Sequence, residues 1–274
     1  MTTTVSNPNK DLWEKGDFTR VAETMRNAGE ALVSQLGVRP GTQVLDLGCG
    51  DGTTAVPAAR LGADVVGVDI ASNLVAAGNA RAAAEELENL RFEEGDASHL
   101  DNLADDSFDL VVTVFGAMFA PRPYDVAKEM VRVTRPGGRI VMGNWIPGDP
   151  TLVAQILRIA SSYSPPPPEG FVSPMTWGVE DEVVRRFAAA GIAAESVSCE
   201  RREFRFESEG PSAEFLGLFR AYYGPTMNAY AAAEAAGRGD ELDRELADLF
   251  ASQNEGGPDR TSIGATFLLV TATK

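Results

Sequence analysis

The sequence predicts an α/β fold in which a doubly wound, mainly parallel sheet is covered by helices on both faces. Short apolar runs alternate with helical patterns from residue 44 to residue 145, and a glycine-rich turn follows the first run. Another apolar run, residues 265–273, lies almost at the C-terminus. Repeated β–α units with near-continuous apolar strands are typical of parallel sheets that are buried on both faces.

The first half of the chain predicts the elements of such a sheet in regular order. A leading helical segment is expected over residues 11–36, where apolar side chains recur at helical spacing, and Pro40-Gly41 ends it. The expected strands are 44–47, 64–68, 91–94, 108–115 and 139–145, and the expected helices are 53–61, 72–88, 101–105 and 123–134.

Beyond Trp145 the pattern becomes more helical. A run of four prolines, 165–168, predicts a stiff extended segment. The apolar run near the C-terminus is far in sequence from the other strands, so it must insert into the sheet that they form. The expected helices are 150–163, 180–190, 211–222 and 226–252, and the expected strands are 195–207 and 265–273.

Composition argues against several classes of function. The net charge of −16 disfavours nucleic-acid binding, which needs a concentrated basic patch, and the arginines of residues 200–207 alternate with glutamates. The polar N-terminus lacks the apolar core of a signal peptide, and no apolar run is long enough to span a bilayer. Two distant cysteines predict neither a disulfide framework nor a metal site. We therefore expect a cytoplasmic protein without nucleic-acid or membrane partners.

The segment around the first strand carries the main functional signal. Asp46 lies within this strand, and glycines at alternate positions, starting with Gly48 and Gly50, form a tight turn before a helix. Such a turn brings main-chain N–H groups and a positive helix end close to a ligand. Asp69 ends the second strand, where a carboxylate suits the paired hydroxyls of a ribose. These features predict a nucleoside-binding domain.

The spacing of the glycines disfavours a dinucleotide as the ligand. The dinucleotide fingerprint needs a third glycine three residues after the second, but Thr53 stands there and the glycine is Gly52. The carboxylate of Asp46 would also sit badly beside a pyrophosphate. It suits a ligand with positive charge, and S-adenosylmethionine carries an ammonium and a sulfonium group instead of phosphates.

The pattern D-x-G-x-G-x-G over residues 46–52 resembles motif I of the class I S-adenosylmethionine-dependent methyltransferases. Residues 13–18 and 108–121 resemble the ubiquinone/menaquinone-biosynthesis type within that class. The resemblance implies a Rossmann-like, seven-stranded sheet whose last strand is antiparallel and lies between the fifth and sixth. It also implies one domain over residues 1–274, with a leading segment 1–36, a cofactor-binding core 37–150, and cap elements 151–180 and 208–260.

The resemblance further implies the residues that bind the cofactor. Asp96 would accept a hydrogen bond from the adenine amine, although a helix N-cap is the alternative role for an acid at that position. Phe115 and Met118 would lie near the sulfonium, where an aromatic face stabilises a cation; the alternative for Phe115 is simple core packing. The predicted cofactor-binding residues are Phe18, Asp46, Gly48, Cys49, Gly50, Asp69, Ile70, Asn73, Gly95, Asp96, Ala97, Phe115 and Met118.

The sequence does not identify a catalytic residue. Methyl transfer is an in-line displacement that depends mainly on alignment, and a base is needed only if the acceptor begins protonated. The lone histidine, His99, is more often structural than catalytic in such a position. Candidate bases are Asp149, Tyr163, Tyr222 and Tyr223, and candidate pocket walls are Trp145, Phe171, Met175 and Trp177.

We therefore expect transfer of a methyl group to O, N or C of a small and fairly apolar metabolite. An S-adenosylmethionine-binding protein that does not methylate, such as a cyclase or a regulatory partner, is the alternative that the sequence leaves open. The alanine-rich stretch 229–236 has small side chains that permit close helix packing, so a homodimer is a further expectation.

Overall fold

One sheet forms the centre of the structure, a computed structural model that describes residues 10–274. Its seven strands lie in the order β3-β2-β1-β4-β5-β7-β6, with β7 antiparallel to both of its neighbours and the first five strands parallel. The predicted fold class is confirmed. The strands are β1 (Gln43–Leu47), β2 (Asp64–Asp69), β3 (Leu90–Glu94), β4 (Phe108–Val114), β5 (Thr134–Trp145), β6 (Val197–Glu209) and β7 (Arg260–Thr273).

Helices cover both faces of this sheet and form a cap beyond its carboxyl edge. Short 3₁₀ helices occur at Glu23–Met25, Ala117–Phe119, Pro174–Gly178 and Ala194–Ser196. The α-helices are α1 (Lys10–Glu14), α2 (Phe18–Ala22), α3 (Arg26–Ser34), α4 (Ala55–Arg60), α5 (Ser72–Ala84), α6 (Pro123–Val133), α7 (Leu152–Tyr163), α8 (Glu180–Ala189), α9 (Ser212–Tyr222), α10 (Gly224–Ala235) and α11 (Gly239–Gln253).

Side chains of β1 alternate between two core layers, as the period of a strand requires. Leu45 and Leu47 belong to the larger layer, which includes α6, α7 and α8, whereas Val44 belongs to the layer beneath α4. Asp46 therefore lies on the α4 face of the sheet. This alternation of side chains, together with the turn that follows β1, places the Asp46 carboxyl directly beneath the start of α4.

The leading helical segment expected over residues 11–36 is divided into the short helices α1, α2 and α3. It breaks at Gly16-Asp17, and the carboxylate of Asp17 accepts a hydrogen bond from the N–H of Thr19 at 3.2 Å, which caps α2. An added Cβ at Gly16 would collide with the backbone of Tyr222, so glycine lets the chain approach α9 closely. The break brings Trp13 of α1 against Phe18 of α2, with ring centroids 5.8 Å apart, at the carboxyl ends of the strands.

Two other expected helices are wrong. Residues 101–105 form turns, since Glu129 accepts from the N–H of Leu100 at 2.7 Å and Arg132 donates to the carbonyls of Leu100 and Leu103. These side-chain bonds replace the helical backbone bonds. The single helix expected over 226–252 is instead α10 and α11, because Gly237 takes a left-handed conformation (φ +70°) that ends the first helix.

Candidate functional site

An open cleft of about 940 Å³ lies at the carboxyl ends of β1, β2 and β4. Doubly wound sheets bind their ligands at this edge. The turn after β1 forms one side of the cleft, the loops after β2, β3 and β4 form another, and α1 and α2 face them. Asp51 and Asp69 are the charged residues among those that line it, so the lining includes no lysine or arginine.

The turn after β1 keeps side chains out of this cleft. Gly48 and Gly50 both have positive φ angles, +67° and +55°. A Cβ on Gly48 would lie 2.7 Å from the backbone of Gly116, so this glycine permits close packing on the turn after β4. A Cβ on Gly50 would meet no atom within 4 Å. Gly50 therefore borders open space, which a ligand can fill.

Asp69 ties this turn to the end of β2. One carboxylate oxygen accepts a hydrogen bond from the N–H of Gly50 at 2.8 Å, and the other accepts from the N–H of Ala71 at 2.9 Å. Burial raises the pKa of Asp69, although these two bonds oppose the shift. Each oxygen can accept a second hydrogen bond, so the carboxylate can also receive a pair of ligand hydroxyls.

Asp46 lies beneath the turn and does not line the cleft. One of its oxygens accepts from the Thr54 hydroxyl, while the other is buried without a partner. Burial raises the pKa of Asp46 to about 7, and the nearby charge of Asp69 adds to this. The carboxyl therefore titrates near neutral pH, and a cation bound close to it would favour its ionised form.

An ion-pair network that the sequence did not reveal fixes the far end of the turn. The buried Asp51 carboxylate accepts from Arg26, which also donates to the Thr53 hydroxyl at 2.8 Å. Arg81 donates to the carbonyl of Asp51 at 2.6 Å. The network joins α3, the turn and α5. The two arginines lie 25 and 30 residues from Asp51, and no local pattern marks such a pairing.

Phe115 occupies an unusual backbone conformation where β4 ends. Its φ is +60°, a left-handed value that costs a residue with a Cβ about 1–2 kcal/mol. Its N–H donates to the carbonyl of Gly143 at 2.9 Å, and its ring stacks on Trp145 with a centroid distance of 3.6 Å. These contacts hold the ring against the cleft. Strained residues of this kind cluster at ligand sites.

Most of the predicted cofactor-binding residues come together around the cleft. Four of the predicted residues do not line it: Asp46, Asn73, Asp96 and Met118. Met118 packs in the core, and Asn73 makes a long bond of 3.4 Å to the carbonyl of Gly16. The predicted residues that line the cleft are Phe18, Gly48, Cys49, Gly50, Asp69, Ile70, Gly95, Ala97 and Phe115.

Asp96 is the fourth of these residues. One carboxylate oxygen accepts from both the N–H and the hydroxyl of Ser98, at 2.8 and 2.6 Å. Arg122 approaches the other oxygen at 3.9 Å. The acid thus caps a turn, since the helix it was expected to precede is not formed. Its neighbours Gly95 and Ala97 border the cleft, so the adenine role stays a prediction.

A smaller, apolar pocket of about 340 Å³ adjoins the cleft. It extends from the leading helices to β5, β6 and α9, so it lies between the sheet and the cap. No charged residue is among those that line it. Five residues border both spaces: Trp13, Phe18, Met25, Phe115 and Phe119. The other lining residues are Val21, Trp145, Val153, Phe206, Phe219 and Tyr223. We call this space the aromatic pocket.

Two of the candidate bases, and the lone histidine, have structural partners instead. Asp149 accepts from the N–H and hydroxyl of Thr151, at 2.9 and 2.6 Å, at the start of α7. Tyr163 donates its hydroxyl to Glu245 at 2.8 Å. His99 is exposed and 3.0 Å from the carboxylate of Asp101. None of these three borders the cleft or the aromatic pocket.

The remaining candidates divide between the pocket and its surroundings. Tyr223 and Trp145 line the aromatic pocket, whereas Tyr222 packs against the core from outside it. Trp177 is buried beneath the Arg186 guanidinium, which lies 4.6 Å from its ring centroid. Phe171 is 55% exposed, and Met175 is partly buried against the core, so neither forms a wall.

Residues 10–274 contain neither a metal-binding cluster nor a membrane-spanning helix. No group of three or more histidine, cysteine or acidic side chains in this range is arranged to hold a metal ion. No helix formed by these residues is long and apolar enough to cross a membrane. Cys49 and Cys199 are free, and burial raises the pKa of the Cys49 thiol.

Comparison with known proteins identifies the family. A family profile described as a methyltransferase domain matches residues 45–142. A protein of Mycobacterium tuberculosis described as uncharacterized is 32% identical, covering 99% of this chain and 96% of its own length. The demethylmenaquinone methyltransferase of Beutenbergia cavernae is 42% identical over 42% of this chain and 45% of the enzyme. This chain belongs to the class I S-adenosylmethionine-dependent methyltransferases. Its cofactor is S-adenosylmethionine.

Solved structures share the fold of this chain. Phosphoethanolamine N-methyltransferase 2 of Haemonchus contortus, in complex with S-adenosyl-L-methionine, has a TM-score of 0.62 at 17% identity and covers 99% of this chain and 60% of its own. The [4+2]-cyclase SpnF has a TM-score of 0.57 at 18% identity and covers 91% of this chain and 81% of its own. At such identities the likeness concerns the fold alone.

The cleft of this chain fits the cofactor of the family. Its charged lining residues are acids, which suits a cation and disfavours a phosphate ligand. Gly50 leaves open space beside the turn, and Asp69 retains lone pairs for ribose hydroxyls. Asp46 beneath the turn adds negative potential once a nearby cation favours its ionised form. Aromatic rings where the cleft meets the aromatic pocket suit a sulfonium.

Proposed function

We propose that this chain transfers the methyl group of S-adenosylmethionine to a small, largely apolar acceptor in the aromatic pocket. The observation that carries this proposal is the junction of the two spaces. Trp13, Phe18 and Phe115 are among the residues that border both the cleft and the aromatic pocket. An acceptor in the pocket therefore meets a cofactor in the cleft across a boundary of aromatic rings.

Alignment in a dry space accounts for most of the catalysis in this proposal. The bound cofactor supplies an electrophilic methyl group. The stacked pair of Phe115 and Trp145 forms a rigid wall of the pocket, and Trp13 packs on Phe119 with a centroid distance of 4.9 Å. These rings exclude water and restrict the orientation of an acceptor. Holding two reactants at near-attack distance can lower a barrier by about 7–11 kcal/mol.

The pocket offers no carboxylate or histidine that could serve as a base. Asp69 borders the cleft, and its oxygens already accept hydrogen bonds from Gly50 and Ala71. We therefore propose that the acceptor enters with its electron pair available, without a proton that the enzyme must remove. Whether the methyl group goes to O, N or C depends on that acceptor.

The charges of the chain support a small molecule as the acceptor. The arginines of β6 are paired, as Arg205 with Glu203 at 2.7 Å and Arg202 with Glu200 at 3.6 Å. They form no unpaired basic strip for a nucleic acid, and the net charge is −16. A cytoplasmic location and a homodimer through α10 stay predictions from the sequence.

The test is incubation of the protein with methyl-labelled S-adenosylmethionine and a panel of small apolar phenols, enols, amines and carboxylic acids. We expect label in at least one organic-soluble product, and none with Asp69→Ala. Cofactor binding without transfer to any member of an exhaustive panel would instead favour the non-methylating alternative, for which the cyclase fold-neighbour offers a precedent in fold alone.

A further inference from the structure

Tyr223 differs from the other buried tyrosines of the structure. It lies between α9 and α10, is 5% exposed, and lines the aromatic pocket. Tyr163 and Tyr230 donate their hydroxyls to Glu245 and Asp243, each at 2.8 Å. The hydroxyl of Tyr223 has no hydrogen-bond partner among residues 10–274. Because the side chain is largely enclosed and lines the pocket, a ligand there can supply the partner that such a hydroxyl normally has.

Two indole N–H groups share this property. Trp145 and Trp13 both line the aromatic pocket, and neither indole has a hydrogen-bond acceptor in the described part of the chain. The ring centroids of Trp13 and Tyr223 are 6.0 Å apart. Among the side chains that line the pocket, these three carry hydrogen-bond donors, and the others are hydrocarbon except for the thioether of Met25. Indole N–H groups donate and cannot accept.

From this arrangement we infer that Tyr223 positions the acceptor by donating a hydrogen bond to one of its oxygen atoms, with the two indoles as further donors. The inference rests on the proposed function and adds the class of acceptor: an apolar body that carries an oxygen able to accept hydrogen bonds. An ammonium group would find no carboxylate in the pocket. A carbonyl oxygen or an oxyanion could instead accept hydrogen bonds from the donors of the pocket.

The ionisation of Tyr223 is consistent with a donor role. Burial raises the pKa of this phenol well above its ordinary value, so the hydroxyl keeps its proton at physiological pH. It is therefore a donor and not a base. In the transfer, the acceptor's electron pair forms the new bond to the methyl carbon, and the pair of the broken C–S bond returns to sulfur. An acceptor that enters as an oxyanion cancels the sulfonium charge, so both products are uncharged at the reacting atoms.

The test uses two probes of similar shape that differ in one oxygen, 1-indanone and indane. Their affinities for wild type, Tyr223→Phe and Tyr222→Phe are measured by ligand-observed NMR, with and without S-adenosylhomocysteine. Tyr222 is the matched control because it neighbours Tyr223 but lies outside the pocket. We expect wild type to bind 1-indanone more tightly than indane. In Tyr223→Phe the ratio of the two affinities should fall by about fivefold, which corresponds to the loss of one hydrogen bond.

Tyr222→Phe should keep the preference, and all three proteins should bind indane and S-adenosylhomocysteine equally. Equal affinity of wild type and Tyr223→Phe for 1-indanone overturns the inference, and so does a wild-type protein that binds neither probe. If wild type fails to bind S-adenosylhomocysteine, the proposed function fails. The probe titrations made without it then still decide the role of Tyr223.

Discussion

Replacement of Gly50 by alanine tests whether the turn after β1 is shaped for the cofactor. The new methyl group would meet no protein atom within 4 Å, so its effect on the fold is limited to the left-handed φ of +55°. That conformation costs a residue with a Cβ about 1–2 kcal/mol. For a chain of this size each kcal/mol lowers Tm by about 2–4 °C. The variant should therefore fold and melt a few degrees lower.

The effect of Gly50→Ala on binding should be larger than this loss of stability explains. The methyl group occupies the space beside the turn, and an extra methyl in a packed site costs about 1–3 kcal/mol, roughly a 5- to 150-fold weaker Kd. Gly137→Ala is the matched control, since Gly137 has a φ of +79° and open space but lies at the start of β5, remote from the cleft. Calorimetric titration with S-adenosylhomocysteine and thermal melting measure both quantities. Equal affinities of the two variants would refute the reasoning.

Two further predictions concern charges around the turn. Asp46 keeps its proton up to about pH 7 in the folded state, so the folded protein binds the extra proton and loses stability as the pH rises from about 4 to 7. In wild type this loss amounts to about 4 kcal/mol of unfolding free energy, and Asp46→Asn should not show it. Urea unfolding measured across the range should therefore depend less on pH in the variant, and the same pH dependence in both proteins would contradict the assignment. Arg26→Gln leaves the buried Asp51 carboxylate with Arg81 at 3.8 Å and should cost about 2–3 kcal/mol in urea unfolding. Arg20→Gln, which breaks an exposed pair, should cost less than 1 kcal/mol, and equal costs would refute the role of burial.

The sheet was predictable because strand signals are local. Each buried strand is a short apolar run, and the turn after β1 combines glycines with acids at fixed positions. The cofactor side of the site follows from these signals, since the ends of neighbouring parallel strands meet at one edge. The sequence therefore predicts Asp69 and Gly50 as cofactor-binding residues, and both border the cleft.

The errors arise where distant contacts override local pattern. The expected helix at 101–105 is replaced by turns because Glu129 and Arg132, on another helix, satisfy the backbone there. Met118 lies next to residues of the cleft in sequence, but its side chain packs in the core. Which side chain of a short 3₁₀ helix faces the core depends on tertiary packing, and the sequence periodicity does not predict it.

The aromatic pocket was the least predictable part of the site. It combines Trp13 from the leading segment, Phe206 from β6 and Tyr223 from the cap, which lie far apart in the chain. Each of these aromatics has the sequence signature of a core residue. Only the three-dimensional arrangement shows that their rings surround a space adjoining the cleft.

The most direct test of the account is calorimetric titration of wild type and Asp69→Ala with S-adenosylmethionine and S-adenosylhomocysteine, with NAD as a negative control. Asp69 is chosen because its oxygens face the turn that borders the cleft. We predict saturable binding of both ligands to wild type, loss of that binding in the variant, and no heat with NAD. Absence of binding to folded wild type would contradict the central claim that this cleft holds S-adenosylmethionine.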